Sequence, residues 1–120
     1  SIIIIDDFAH HPTAIRYSIN AVKNKFKECS IFGLIELGSN TMSDGVHGDE
    51  LIMASSELDM TVWLDSKEVL PNSCSNRYCS DDQCIEFMKN NIKDFDILLI
   101  MTNRNSERLW SPIIEYVKNK

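Results

Sequence analysis

The sequence is poor in features that mark several common protein classes. It has four glycines and three prolines in 120 residues. Neither G-x-G-x-x-G nor G-x-x-x-x-G-K-[ST] occurs, so we predict no dinucleotide site and no P-loop in this chain. No run of about 18 apolar residues is present, so no transmembrane helix and no membrane partner are predicted. The opening isoleucines are too few for a signal-peptide core and lack a basic region before them.

The sequence also lacks closely spaced cysteine pairs and a net positive charge. The cysteines are Cys29, Cys74, Cys79 and Cys84. They form no C-x₂-C pair, so we predict no metal site and expect reduced thiols, as in a cytosolic protein. The formal net charge of −6 argues against nucleic acid or an anionic membrane surface as the main partner. An anionic substrate would therefore need local cations or helix N-termini.

What is present is an alternation of apolar strands and amphipathic helices. We predict strands over 2–5, 30–37, 60–64 and 96–101, a short strand over 68–70, and helices over 12–27 and 46–58, from Ser80, and from Ser111-Pro112. Nearly continuous apolar runs, including the four opening isoleucines, indicate strands buried on both faces. Strand and helix alternating four times predicts an α/β sandwich with a mostly parallel sheet.

Acids and imidazoles follow the first predicted strand. Asp6, Asp7, His10 and His11 precede Pro12, which suits the first turn of a helix. Ligands of open α/β sheets bind beyond the carboxyl ends of the strands, so these side chains form a candidate site. The alternative is structural, because either aspartate could cap a helix or a strand end and a histidine could be a hydrogen-bonded structural group.

A second polar turn, residues 38–41, follows the second predicted strand. Its short hydroxyl and amide side chains can hold a carboxylate or a phosphate without adding bulk. An ordinary strand-to-helix turn capped by Ser or Asn explains the same residues.

Both turns resemble one enzyme family. The motif D-D-F-A-H-H-P-T over residues 6–13 resembles the motif that opens the C-terminal domain of the Mur ligases, ATP-dependent amide-bond-forming enzymes of peptidoglycan metabolism. S-N-T-M over 39–42, followed by G-V-H over 45–47, is similar to the murein peptide ligase branch. The resemblance runs from Ile2 to Met101, and it implies a Rossmann-like three-layer fold.

The resemblance implies a function for the full-length protein. That branch joins L-Ala-γ-D-Glu-meso-diaminopimelate to UDP-N-acetylmuramate in cytoplasmic peptidoglycan recycling, with ATP and Mg²⁺. The implied partners are both substrates and the rest of the protein's own chain. Residues 1–120 would be a single C-terminal lid domain. The N-terminal UDP-sugar domain and the central P-loop domain, which supplies most contacts to ATP and Mg²⁺, would lie outside it, so we expect the isolated domain to be inactive.

The matched motifs also imply roles for individual residues. Asp7 would accept hydrogen bonds from the ribose hydroxyls of ATP, while Asp6 would support the turn. His10 would be catalytic, facing the closed active site, and His11 would orient its neighbour next to the nucleotide. The implied substrate-binding residues are Ser39, Asn40, Thr41 and His47, and His47 could equally cap the second helix.

Two segments depart from the family pattern. Where the family has E-P-R before S-N-T-M, this chain has Glu36-Leu37-Gly38, so an arginine that could pair with a substrate carboxylate is missing. A glycine-rich turn is replaced by residues 102–108. Arg104 or Arg108 could supply the lost charge, the substrate could differ, or activity could be lost. The alternatives are therefore the C-terminal domain of a UDP-N-acetylmuramate–L-alanine ligase, against which S-N-T-M speaks, and a catalytically dead binding module.

Overall fold

A computed structural model of the protein describes residues 2–9, 11–38 and 48–119. In chain order its elements are β1 (Ile3–Asp7), α1 (Pro12–Lys25), β2 (Ile31–Glu36), α2 (Gly48–Ala54), β3 (Met60–Leu64), β4 (Arg77–Tyr78), α3 (Asp81–Asn91), a 3₁₀ helix (Ile92–Asp94), β5 (Ile97–Met101) and α4 (Glu107–Lys118). The strands form one sheet in the order β1-β5-β2-β3-β4, and the pairings between them are parallel. The predicted α/β fold with a largely parallel sheet is confirmed.

Helices cover both faces of this sheet. Ile15 of α1 and Leu51 of α2 pack in a core on one face, together with Leu99 of β5. Met88 of α3 and Ile113 of α4 pack in a second core on the other face. Every residue of β2 and β5 is buried, and successive side chains of these strands alternate between the two cores. The result is the three-layer, Rossmann-like arrangement that the resemblance implies.

The opening isoleucine run is not buried on both faces, contrary to the prediction. β5 inserts between β1 and β2, which places β1 at the edge of the sheet. No residue of β1 is fully buried, and Ile3 is 42% exposed. An apolar run indicates a strand, but its burial depends on which strands lie beside it.

The predicted short strand over 68–70 is wrong. Glu68 has a φ of 55°, in the left-handed region, and the Asp65 carboxylate accepts hydrogen bonds from the backbone N–H groups of Val69 and Leu70, both at 2.9 Å. These bonds curl the backbone, so it cannot run extended along β3. The strand that pairs with β3 is instead β4, which begins at Arg77.

The boundaries of two helices also differ from those predicted. The last helix begins at Glu107 rather than at Ser111-Pro112, and the Asn105 side chain accepts from the N–H of Glu107 at 3.0 Å in the turn before it. Pro112 lies inside the helix. The helix predicted over 46–58 is described from Gly48 and ends at Ala54. Its predicted inner stripe is buried and consists of Leu51, Ala54, Ser55 and Leu58.

Other sequence features have the positions expected from their chemistry. Ser80 caps α3 by accepting from the N–H of Gln83, as predicted. Cys84 is buried, and burial, first among several causes, raises the pKa of its thiol to about 12. Within the described ranges, no helix is both long enough and apolar enough to cross a membrane.

Candidate functional site

The carboxyl ends of β1, β5 and β2 lie side by side. Asp7 of β1 is in register with Met101 of β5, and Met101 is in register with Ile35 of β2. The chain leaves β1 towards α1 on one face of the sheet, and it leaves β5 towards α4 on the other face. Diverging connections of this kind open a crevice between neighbouring strands, which is where open α/β sheets bind ligands.

A cleft of about 340 Å³ occupies this position. We call it the carboxyl-edge cleft, and it is lined by Asp6, Asp7, Phe8, Thr102, Asn103, Arg104, Asn105 and Ser106. It therefore brings together the two motif acids that follow β1 and the turn that follows β5. Phe8 is 76% exposed at its rim.

Asp7 is half-buried and is held in one orientation. Its Oδ1 atom accepts from the N–H of Ala9 at 3.1 Å, and its Oδ2 atom accepts from the hydroxyl of Ser18 on α1 at 2.7 Å. A carboxylate has roughly four acceptor positions, and these contacts, the ones made by described residues, use two of them. Asp7 therefore has a structural role, as the capping alternative predicts, and it can also accept from a ligand in the cleft.

Asp6 connects β1 to the turn before α4. Its Oδ2 atom accepts from the hydroxyl of Ser106 at 2.8 Å, across a sequence separation of 100 residues. The N–H of Thr102 donates to the carbonyl of Asp7 at 2.9 Å and extends the pairing of the two strands. The sequence-based expectation that Asp6 supports the turn agrees with these contacts.

A hydrogen-bonded cluster of polar and charged side chains, not predicted from the sequence, adjoins the cleft and shares Thr102 and Arg104 with it. We call it the Glu36 cluster, and it comprises Glu36, Thr102, Arg104 and Arg108. Glu36 ends β2 and is 4% exposed. Its carboxylate accepts from the Thr102 hydroxyl, from Arg104 Nη1 at 3.0 Å and from Arg108 Nη2 at 2.7 Å. An acid inside the apolar run of the second strand is the sequence signal that could have revealed it.

The two arginines of the cluster differ in the number of described groups to which their side chains donate hydrogen bonds. Arg108 donates to three groups, namely Glu36, Asp81 at 3.0 Å and the carbonyl of Asn105. Partial burial acts to lower the pKa of Arg108, but its hydrogen bond and attraction to Glu36 and its attraction to Asp81 outweigh this, so the pKa is raised. The side chain of Arg104 is 63% exposed and, among the described residues, donates to Glu36 alone.

Of the remaining predicted site residues, His11 is the one that lies in the described part of the chain. His11 is exposed at the N-cap of α1, where its side chain makes no capping bond, and it does not line the cleft. The other predicted residues lie outside the described ranges, and they are His10, Ser39, Asn40, Thr41 and His47.

Two further features of the described residues bear on the position and chemistry of the site. A larger cavity of about 580 Å³ lies at the opposite, amino edge of the sheet, between Ile2, Phe95 and the ends of α3 and α4. The predicted ligand-binding chemistry follows the carboxyl ends of the strands, so we place the candidate site there despite the difference in volume. Over residues 2–9, 11–38 and 48–119, no group of three or more His, Cys, Asp and Glu side chains is arranged to hold a metal ion.

The fold and the cleft define a Rossmann-like α/β domain with a candidate ligand site at the β1/β5 crevice. No protein-family model matches the chain. Its sequence is 28% identical to the UDP-N-acetylmuramate–L-alanyl-γ-D-glutamyl-meso-2,6-diaminoheptandioate ligase of Haemophilus influenzae. It is 25% identical to the UDP-N-acetylmuramate–L-alanine ligase of Persephonella marina. Each match covers 100% of this chain but 29% and 30% of the respective relative, so the chain spans about three tenths of their length.

Solved structures give the same result. A murein peptide ligase from Psychrobacter arcticus matches 98% of the chain and 28% of its own chain, with a TM-score of 0.81 and 30% identity. A domain ascribed to a ligase of the same kind from Haemophilus ducreyi matches 99% of the chain with a TM-score of 0.71, and at 20% identity it shows the fold alone. The relatives and structural neighbours are thus murein peptide ligases and UDP-N-acetylmuramate ligases, and they confirm the resemblance to a Mur ligase C-terminal domain.

Proposed function

We propose that this chain is the C-terminal lid domain of an ATP-dependent ligase that joins L-alanyl-γ-D-glutamyl-meso-diaminopimelate to UDP-N-acetylmuramate. The observation that carries the proposal is the match of the whole chain to murein peptide ligases at 28% and 30% identity. The position of the motif acids at the β1/β5 crevice supports it independently. The P-loop, the grip on the UDP-sugar and the Mg²⁺ site are assigned to the rest of the protein, so the isolated chain is expected to be inactive.

The proposed reaction has two steps. The carboxylate of UDP-N-acetylmuramate attacks the γ-phosphorus of ATP, which gives an acyl phosphate and ADP. The amine of the peptide then attacks the acyl carbon, and phosphate leaves from the tetrahedral intermediate with formation of the amide. Because water would hydrolyse the acyl phosphate, a domain that closes over the site protects the intermediate while it positions the nucleotide and the peptide.

The nucleotide role of Asp7 fits its geometry. The Ser18 and Ala9 contacts fix the carboxylate before any ligand arrives, and Asp7 lines the cleft with two of its roughly four acceptor positions used by described residues. Ribose hydroxyls are neutral donors, so the neighbouring carboxylates of Asp6 and Asp7, which line the cleft, do not repel them. By their positions in the matched motifs we also keep a catalytic role for His10, a nucleotide-side role for His11, and peptide binding for Ser39, Asn40, Thr41 and His47.

Replacing Asp7 by Asn in the full-length protein tests this role. The amide oxygen can still accept from Ala9, so the turn is retained, but the charge that strengthens the ribose bonds is lost. We expect the KM for ATP to rise about tenfold, which corresponds to roughly 1.4 kcal/mol. Steady-state kinetics with varied ATP measure it.

The matched control is Asp94→Asn, an exposed acid in the 3₁₀ helix at the amino edge of the sheet. It should leave the KM for ATP unchanged. A folded Asp7→Asn protein whose KM for ATP equals that of the wild type would remove Asp7 from the nucleotide site.

The match to the L-alanine ligase of Persephonella marina supports a second candidate substrate. The same assay separates the two, because a ligase of that kind forms product with L-alanine in place of the tripeptide. Product with the tripeptide alone would support the first proposal.

A further inference from the structure

Arg104 of the Glu36 cluster is bound by a buried carboxylate, while most of its own side chain is exposed. Glu36 is almost fully buried and holds Arg104 Nη1 at 3.0 Å, while the side chain of Arg104 remains 63% exposed and lines the carboxyl-edge cleft. The backbone N–H of Arg104 also donates to the Thr102 hydroxyl at 3.1 Å, which fixes the start of the side chain. From this we infer that Arg104 is a specificity-determining residue that binds a carboxylate of the incoming peptide, an inference that rests on the proposed ligase function.

Arg104 is better suited to this role than Arg108. The side chain of Arg108 is 22% exposed, and its Nε, Nη1 and Nη2 atoms each donate to a different protein group. A guanidinium has five N–H donors, and Arg104 uses one bond to Glu36 among the described residues. The planar fork of Arg104 can therefore present two parallel donors to a ligand carboxylate. The buried Glu36 reduces the conformational freedom that Arg104 would otherwise lose on binding.

The charges around the cleft favour a carboxylate over a phosphate. Asp6 and Asp7 line the same cleft as Arg104, and Glu36 already offsets part of the arginine's charge. A phosphate group carries close to two negative charges and would be repelled by these acids more strongly than a carboxylate with one charge.

The experiment combines a protein variant with a changed substrate in the full-length ligase. The peptide substrates are the tripeptide and derivatives in which one free carboxylate at a time is converted to a primary amide. For wild type, we expect one amide to raise the KM for the peptide by about tenfold or more, since a charge-assisted bond pair is lost. For Arg104→Ala, the KM for the free acid should rise by a similar factor, and the same amide should cause no further increase.

Controls separate charge from shape and from folding. Arg104→Lys keeps the charge but loses the fork, so part of the preference for the free acid should remain. Lys93→Ala removes an exposed cation beside the cavity at the amino edge. It should change neither the KM for the free-acid tripeptide nor the KM for its amide. Thermal unfolding of each variant shows whether it is folded at the assay temperature.

The outcomes distinguish this inference from the proposed function. Wild-type protein that forms no ligated product overturns the proposed function and the inference with it. Wild-type protein that ligates but shows no preference for any free carboxylate, or an Arg104→Ala protein that keeps the wild-type preference, overturns the inference alone. An Arg104→Ala protein whose KM for ATP rises while its KM for the peptide is unchanged would show that Arg104 binds a phosphate. That result also overturns the inference.

Discussion

Replacing Glu36 by Ala is expected to lower the free energy of unfolding by about 3 kcal/mol. The carboxylate is 4% exposed and accepts from Thr102, Arg104 and Arg108. Its removal leaves the buried Thr102 hydroxyl without its acceptor and Arg108 without one of two carboxylate partners. Groups that stay buried after losing a partner carry the full cost of desolvation, which makes this effect large.

Urea denaturation of wild type and variant measures the change. The matched control is Glu57→Ala, which breaks an exposed ion pair with Lys23 at 2.8 Å and should leave the midpoint unchanged. The double variant Glu36→Ala, Arg108→Met should be less destabilised than the sum of its single variants, because each removes the partner of the other. Additive effects, or a Glu36→Ala protein as stable as the control, would show that the cluster does not hold the edge of the sheet together.

Replacing Asp65 by Ala is the second change with a large expected effect, also about 3 kcal/mol of unfolding free energy. Asp65 is 0% exposed and follows β3 directly. Its two oxygens accept from the N–H groups of Val69 and Leu70, and Arg77 Nη1 of β4 lies 3.7 Å from Oδ2. The variant therefore leaves two backbone donors and one arginine without this carboxylate.

Local opening of the segment between β3 and β4 should accompany the loss of stability. Hydrogen exchange of the Val69 and Leu70 amides should become faster in Asp65→Ala than in wild type at conditions where both are folded. Lys67→Ala, an exposed change in the same segment, serves as the control and should leave both exchange rates unchanged. Unchanged protection of the Leu70 amide in Asp65→Ala would contradict the role assigned to this carboxylate.

The fold was largely predictable because its signals are local. The spacing of Ile15, Ile19 and Val22 places one apolar face on a helix, and that face is buried on the sheet. The edge position of β1 was not predictable, because it depends on β5 inserting between β1 and β2. The start of α4 was misplaced because the Ser-Pro signal outweighed the turn at Asn105, whose side chain accepts from the N–H of Glu107.

The site was predictable only in part. The motif acids are consecutive in sequence at the end of an apolar run, so the sequence predicted that Asp6 and Asp7 lie at the carboxyl edge of the sheet, where the structure has them. The Glu36 cluster joins residues 66 to 72 positions apart, so the acid in the second strand signals a buried polar contact but no local pattern identifies its partners. The sequence showed that Arg104 and Arg108 could each supply a charge. Only the three-dimensional arrangement shows that Arg108 is occupied and Arg104 faces the cleft.

The most direct test of the account is tripeptide-dependent ATP turnover by the full-length protein that carries this sequence. We predict that ADP and a ligated product form in equal amounts when UDP-N-acetylmuramate and L-alanyl-γ-D-glutamyl-meso-diaminopimelate are both present, and that omitting either substrate abolishes both. A folded, ATP-binding protein that forms no product with this tripeptide or with L-alanine would contradict the account, and the binding-module alternative would replace it.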